Sequence, residues 1–178
     1  MRTVDIGALE LDWIFSETDT DGQFSSAIKL LTARKLTVAT AESCTGGLIG
    51  KMFTDVPGAS AVFVGGMITY TNRVKMRGLG VTPETIAVHS EVSAECAAEM
   101  AEKAREFFES DIGISATGFA GPAGGNERDG VGTVYLGLSV ARETAVYRLC
   151  FGPLSRDEIR TRTAILAAKK LTETLKKG

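Results

Sequence analysis

The sequence predicts an α/β fold, a three-layer α/β/α sandwich around a mixed, mostly parallel sheet of about five strands. Segments with helical periodicity alternate with short apolar, β-branched runs, the pattern of helices laid over a buried sheet. Two turns leaving such runs, Glu42 to Gly47 and Gly118 to Gly125, are rich in glycine and should face each other at the carboxyl ends of the parallel strands, where open α/β sheets bind ligands. The last two apolar runs are joined by a short polar turn, which adds an antiparallel hairpin. A chain of 178 residues, 44% apolar and 24% charged, suits one globular domain and excludes a fibrous, disordered or disulfide-stapled protein.

In chain order, residues 1–24 read as an N-terminal arm and 25–178 as the domain proper. The arm mixes Ile6, Leu9, Leu11, Trp13, Ile14 and Phe15 with acids and ends in Thr-Asp-Thr-Asp-Gly; Trp13 and Phe15 are its candidates for packing on the domain or on a second subunit. Ala27, Ile28, Leu30 and Leu31 recur at helical spacing in Ser25 to Lys35, and Thr37 to Ala41 follows as a short buried strand. Leu48, Ile49, Met52, Phe53 and Val56 mark a helix that stops at Pro57-Gly58. Ala61 to Tyr70 is the second strand and Asn72 to Leu79 a short helix closed by Gly80. Ser93 can cap a longer helix with Cys96, Met100, Ala104 and Phe108 on one face. Asp111 to Thr117 is a third strand, Gly118 to Gly132 a glycine-rich loop, and Thr133 to Val140 with Ala145 to Phe151 the hairpin. Ser155 and Glu158 form a capping-box pattern before a final helix striped by Ile159, Thr163, Leu166 and Leu171, whose terminal Lys176 and Lys177 complement its dipole.

The net charge of −2 gives no general attraction to nucleic acid or anionic lipid, so an anion site must be local. No apolar run approaches the ~18 residues of a spanning helix, and the acid-bearing start lacks the basic-then-apolar pattern of a secretory signal. Cys44, Cys96 and Cys150 are odd in number and widely spaced, matching neither a disulfide framework nor paired metal ligands; the expectation is a reducing cytoplasm. With His89 as the single histidine, a multi-imidazole zinc site cannot be built, and any Ser-His-Asp triad would depend on it.

Ser43 falls between a strand and a helix opened by Gly46 and Gly47, placing its hydroxyl near unpaired N–H groups suited to an oxyanion or a nucleophile. A plain N-cap serine is the alternative, although two glycines at the start of a helix, each costing roughly 1 kcal/mol in a helix interior, also allow close approach of a ligand to the backbone. Cys44 is the rival nucleophile or a small packing residue. Without an imidazole base, a serine can be activated by a lysine kept neutral through burial or neighbouring positive charge. Lys75 is the candidate, and Arg73 and Arg77, two residues to either side, would oppose its protonation if they came close to it; a solvated basic helix face is the other reading. Tyr70, at a strand end, could hydrogen-bond the nucleophile or stack on a planar substrate. The loop from Thr117 to Gly125 has the glycine content of an anion cradle but is neither a Walker loop nor a dinucleotide fingerprint. Arg156, beside the last helix cap, could add charge to the same phosphate.

Together Ala41-Glu-Ser-Cys-Thr-Gly-Gly47, Val56-Pro-Gly-Ala-Ser60, Ile68-Thr-Tyr-Thr-Asn72 with Lys75, and Thr117-Gly-Phe-Ala-Gly-Pro-Ala-Gly-Gly125 before Val131-Gly-Thr-Val134 resemble the CinA C-terminal domain family, which includes the nicotinamide-nucleotide amidases. The likeness runs from about Ser26 to Leu175. It implies a five-stranded mixed-sheet sandwich that hydrolyses the carboxamide of nicotinamide mononucleotide (NMN) to nicotinate mononucleotide and ammonia in pyridine-nucleotide salvage, without metal or organic cofactor, as a homo-oligomer. Matched residue by residue, the family's nucleophile falls on Ser43, its catalytic lysine on Lys75 and its motif tyrosine on Tyr70. The N–H groups of Cys44, Thr45 and Gly46 would hold the oxyanion. Thr117, Gly118, Ala120, Gly121, Gly124 and Gly125 fall where the family holds its nucleotide, and its arginine aligns with Arg156, although Pro153-Leu-Ser155 replaces the usual preceding run. His89-Ser-Glu-Val-Ser93 and Arg128-Asp-Gly-Val131 depart from the common His-Gly-Ala-Val-Ser and Lys-Pro-Val. Two-domain members carry an additional N-terminal domain resembling molybdopterin-cofactor-biosynthesis proteins; the expectation here is the stand-alone form.

Overall fold

The computed structural model describes residues 1–7, 10, 11, 15, 22–141 and 143–177. Its elements are β1 (Arg2–Ile6), α1 (Gln23–Arg34), β2 (Val38–Glu42), α2 (Leu48–Thr54), β3 (Phe63–Ile68), α3 (Asn72–Val74), α4 (Pro83–His89), α5 (Ala94–Phe107), β4 (Ile112–Gly118), β5 (Thr133–Val140), β6 (Glu143–Cys150) and α6 (Arg156–Lys177). One mixed sheet runs β1-β6-β5-β4-β2-β3. The β2–β3, β2–β4 and β1–β6 pairs are parallel, and β5 lies antiparallel to both β4 and β6.

The sheet therefore has six strands where about five were expected, and the sixth comes from the segment read as an arm. Its signal was weak because β1 is an edge strand: only Ile6 of its five residues is buried, and Arg2, Thr3 and Asp5 face solvent. Trp13 lies outside the described residues. Phe15 packs partly against the main core, with the Arg162 guanidinium 4.9 Å over its ring.

Strand alternation divides the interior into two layers. Ile112, Ile114 and Ala116 of β4 and Val134, Leu136 and Leu138 of β5 join the core shared with α1, α2 and α6. Within it Phe53 stands edge-on to Phe24 at 4.9 Å and stacks on Phe63 at 5.3 Å between centroids. The opposite face meets α5 so closely that side chains would obstruct it. A methyl at Gly113 would fall 1.9 Å from the Ala101 carbonyl oxygen, and one at Gly137 would fall 2.5 Å from that of Ala97. Ser115 Oγ donates to the same Ala97 oxygen at 2.5 Å. The alanines of α5 are what allow its backbone to rest on the sheet.

Ser93 caps α5 by accepting from the Cys96 N–H at 3.1 Å, and Ser155 and Glu158 close a reciprocal capping box on α6. The segment Asn72 to Leu79 is one α-turn followed by a π-turn, Lys75–Leu79, that ends at Gly80 with φ 90°. An extra short helix, α4, begins at Thr82-Pro83, an N-cap and N1 pair, with Thr82 accepting from the Thr85 N–H at 3.2 Å. Among the described residues no helix is long and apolar enough to cross a membrane.

Candidate active site

The carboxyl ends of β2, β3 and β4 come together in register, Glu42 beside Ile68 on one side and Ala116 on the other. The turn after β2 is tied across the gap: Ser43 N–H donates to the Ala116 carbonyl at 2.8 Å, and Thr69 N–H donates to the Glu42 carbonyl at 2.7 Å. Ser43 and the segment after β3 are thus held by neighbouring strands, although 32 residues separate Ser43 from Lys75.

The π-turn carries Lys75 back toward this point. Its Nζ donates to Ser43 Oγ at 2.9 Å and to the Thr69 carbonyl at 3.1 Å. Both side chains are enclosed, Lys75 at 1% exposure and Ser43 at 8%. Burial pushes the Lys75 amine below the ordinary lysine range, outweighing the opposing pull of Cys96, Cys44 and Glu91. Arg73 and Arg77, expected to disfavour its proton, are exposed and do not cause the shift. Desolvation does. A neutral amine here can accept the serine proton across the existing hydrogen bond.

Cys44 is buried beside this pair, and burial pushes its thiol up to about 12, so the thiolate that a nucleophilic cysteine needs is not formed near neutrality. The N–H groups around it are divided. Gly46 N–H donates to the Ser43 carbonyl at 3.1 Å, whereas those of Cys44 and Thr45 meet no carbonyl acceptor among the described residues and face the Cys44 sulfur, where they oppose the rise of its pKa. The start of α2, expected to offer unpaired donors, is already occupied. The Glu42 carboxylate, 1% exposed, accepts from Gly47 and Ile49 at 3.0 Å each, from Gly50 at 2.8 Å and from Thr40 Oγ1 at 3.3 Å. Ser43 is accordingly not the helix cap; Gly47 holds the N-cap position, and the Glu42 carboxylate takes up the donors around it. That leaves the Ser43 hydroxyl to Lys75.

The remaining predicted residues form a rim. Tyr70 is 59% exposed, and its hydroxyl accepts from Arg156 Nη2 at 3.4 Å. Arg156 Nη1 donates to the Gly121 carbonyl at 2.7 Å, so one guanidinium joins the β3 end to the glycine-rich loop. In that loop Ala120 is buried and Gly121, Gly124 and Gly125 take φ of 78°, 129° and 122°, conformations that favour glycine. Gly118 closes β4, where a Cβ would meet the Thr133 oxygen at 2.6 Å. Thr117 is fully buried and its hydroxyl donates to the Glu91 carbonyl at 2.7 Å, so it braces the wall.

Two residues were not singled out from the sequence. Glu42 stands inside the motif that drew attention to Ser43, and its position before two glycines was the available signal. Arg160, one helical turn beyond Arg156, donates from Nη2 to the Thr45 carbonyl at 2.9 Å and lies 3.3 Å from where a Gly46 side chain would begin. Its Nε is buried without a partner among the described residues. The opening turns of α6 thereby reach both the Ser43 turn and the glycine-rich loop.

The sequence profile of the CinA C-terminal domain matches residues 23–175. The chain belongs to the CinA C-terminal domain family. A chain from Caldanaerobacter subterraneus subsp. tengcongensis, provisionally named a competence-damage inducible protein, is 51% identical over 140 residues, covering 79% of this chain and 34% of its own. This chain spans about a third of the length of the first such curated relatives. Among solved CinA-type structures, the competence/damage inducible protein CihA from Agrobacterium tumefaciens superposes with a TM-score of 0.84 at 36% identity, over 89% of this chain and 96% of that one. The competence damage-inducible protein A from Klebsiella pneumoniae gives 0.86 at 31% identity, over 89% and 98%.

Proposed function

We propose that this CinA-type domain is an amidohydrolase that deamidates nicotinamide mononucleotide to nicotinate mononucleotide and ammonia through a Ser43–Lys75 pair. The observation that carries the reading is a buried lysine amine, pushed toward its neutral form, 2.9 Å from a serine hydroxyl. Lys75 takes the Ser43 proton as Oγ attacks the carboxamide carbon. The developing oxyanion, a far stronger acceptor than the protonated Cys44 sulfur they face, meets the N–H groups of Cys44 and Thr45, which have no carbonyl acceptor among the described residues. Lys75 then passes the proton to the departing amide nitrogen, and ammonia leaves with cleavage of the C–N bond. Water adds to the resulting ester, giving a proton to Lys75, which returns it to Ser43 Oγ as the carboxylic acid is released.

At the other end, Arg156 and the glycine-rich loop would hold the phosphate, so binding energy remote from the amide positions it for attack. The test is incubation of the purified protein with NMN and measurement of both ammonia and nicotinate mononucleotide. Stoichiometric release, lost in Ser43→Ala, supports the reading. NMN binding without ammonia would instead identify a nucleotide-binding or regulatory module.

A further inference from the structure

The loop between Phe119 and Gly132 has the composition of a mobile segment, with exposed residues from 122 to 128. A single buried carboxylate organises its second half. Asp129 is 1% exposed. Its Oδ2 accepts from the Tyr135 hydroxyl at 2.9 Å, and its Oδ1 accepts from Arg148 Nε at 3.0 Å and Nη2 at 2.6 Å. Its carbonyl accepts from the Asn126 N–H at 2.8 Å, while Asn126 Oδ1 accepts from the N–H groups of Arg128 at 2.9 Å and Asp129 at 2.8 Å. Tyr135 and Arg148 occupy paired positions on β5 and β6, so both donors project from one rigid place. Asp5 of β1, 72% exposed, approaches Arg148 at 3.9 Å and adds little.

We propose that Asp129 is a positioning residue: with Arg148 and Tyr135 it clasps the loop to the β5–β6 pair and so sets the shape that receives the phosphate-bearing end of the substrate. This rests on the function proposed above. Opening the loop would exchange three charge-assisted hydrogen bonds for water and leave Arg148 only its 3.9 Å approach to exposed Asp5, so the clasped form is favoured. The Arg156 bond to the Gly121 carbonyl holds the loop's other end, and the exposed stretch 122–128 is suspended between the two tethers.

The test compares the full chain with Asp129→Asn and Tyr135→Phe, by hydrogen exchange without substrate and by steady-state NMN hydrolysis. For Asp129→Asn, the amides of Asn126, Arg128 and Asp129 should exchange about tenfold faster or more, with KM raised about tenfold and kcat within about twofold, as expected for losing a charged hydrogen-bond acceptor. Tyr135→Phe removes one donor and should raise KM about threefold, and it decides the matter by the same criteria if Asp129→Asn does not fold. Unchanged exchange at these amides, or a lowered Tm with KM unmoved, overturns the proposal. If the wild-type protein releases no ammonia, the amidase reading fails; exchange still judges the clasp, and the Kd of NMN by calorimetry replaces KM. Absence of NMN binding would overturn the substrate half of the proposal.

Discussion

Around Ser43 and Lys75 neighbouring strands are tied backbone to backbone, Ser43 N–H to Ala116 and Thr69 N–H to Glu42, and the buried side chains of Glu42 and Lys75 bond to backbone a few residues away. Between Phe119 and Gly132 long side chains bridge separate segments: Arg156 to Gly121, and Arg148 and Tyr135 to Asp129. The first region is enclosed and its geometry follows from strand register. The second is largely exposed, and its geometry depends on a few tethers. The Ser43–Lys75 contact is buried within one small region, whereas the loop is tied down at several separate places.

Ser43→Ala should have the largest effect, lowering kcat for NMN by about 10³-fold or more while leaving KM within a few-fold. Retained turnover would remove Ser43 from the chemistry. Lys75→Met should cost about 10²- to 10⁴-fold in kcat, the scale of a lost general base, and should also raise Tm because it removes a buried ionisable group. The proton balance gives that variant a second readout. Lys75 has a lowered pKa in the folded chain, so over a window on the alkaline side the unfolded chain binds a proton that the folded chain does not. Wild-type stability should rise with pH through that window, and its slope should flatten in Lys75→Met when urea unfolding is followed against pH.

Glu42→Gln comes next. It replaces an acceptor-only carboxylate facing three N–H groups with an amide that can itself donate, and should cost about 1–3 kcal/mol of stability in urea unfolding. If Tm falls but kcat does not, the Ser43 turn keeps its shape without that carboxylate. Smallest is Cys44→Ala, for which turnover should stay within about threefold, since the thiol remains protonated near neutrality. A near-complete loss of activity would reinstate the cysteine as nucleophile.

The contrast also explains what could be read in advance. The α/β layering, the hairpin and the α6 capping box follow from periodicity and local turn chemistry, and the Ser43 and Lys75 motifs stood out by residue type. Glu42, Arg160 and Asp129 were not distinguished because their roles lie in bonds to backbone or side chains of other segments. Burial and neighbouring positive charge were both open as the cause of a neutral Lys75; the sequence shows Arg73 and Arg77 but not burial, and burial is the cause that acts. Strand β1 escaped because an edge strand with one buried residue has little hydrophobic alternation to display.

Gly118 and Val134 face each other across the β4–β5 ladder, and the glycine-rich loop departs and returns through that pair. The segment is an excursion with both ends fixed by strand pairing, and its free part is the exposed stretch 122–128 between the Gly121 and Asp129 tethers. Variation confined to the exposed part of that excursion alters the surface beside Arg156 without touching the Ser43–Lys75 contact.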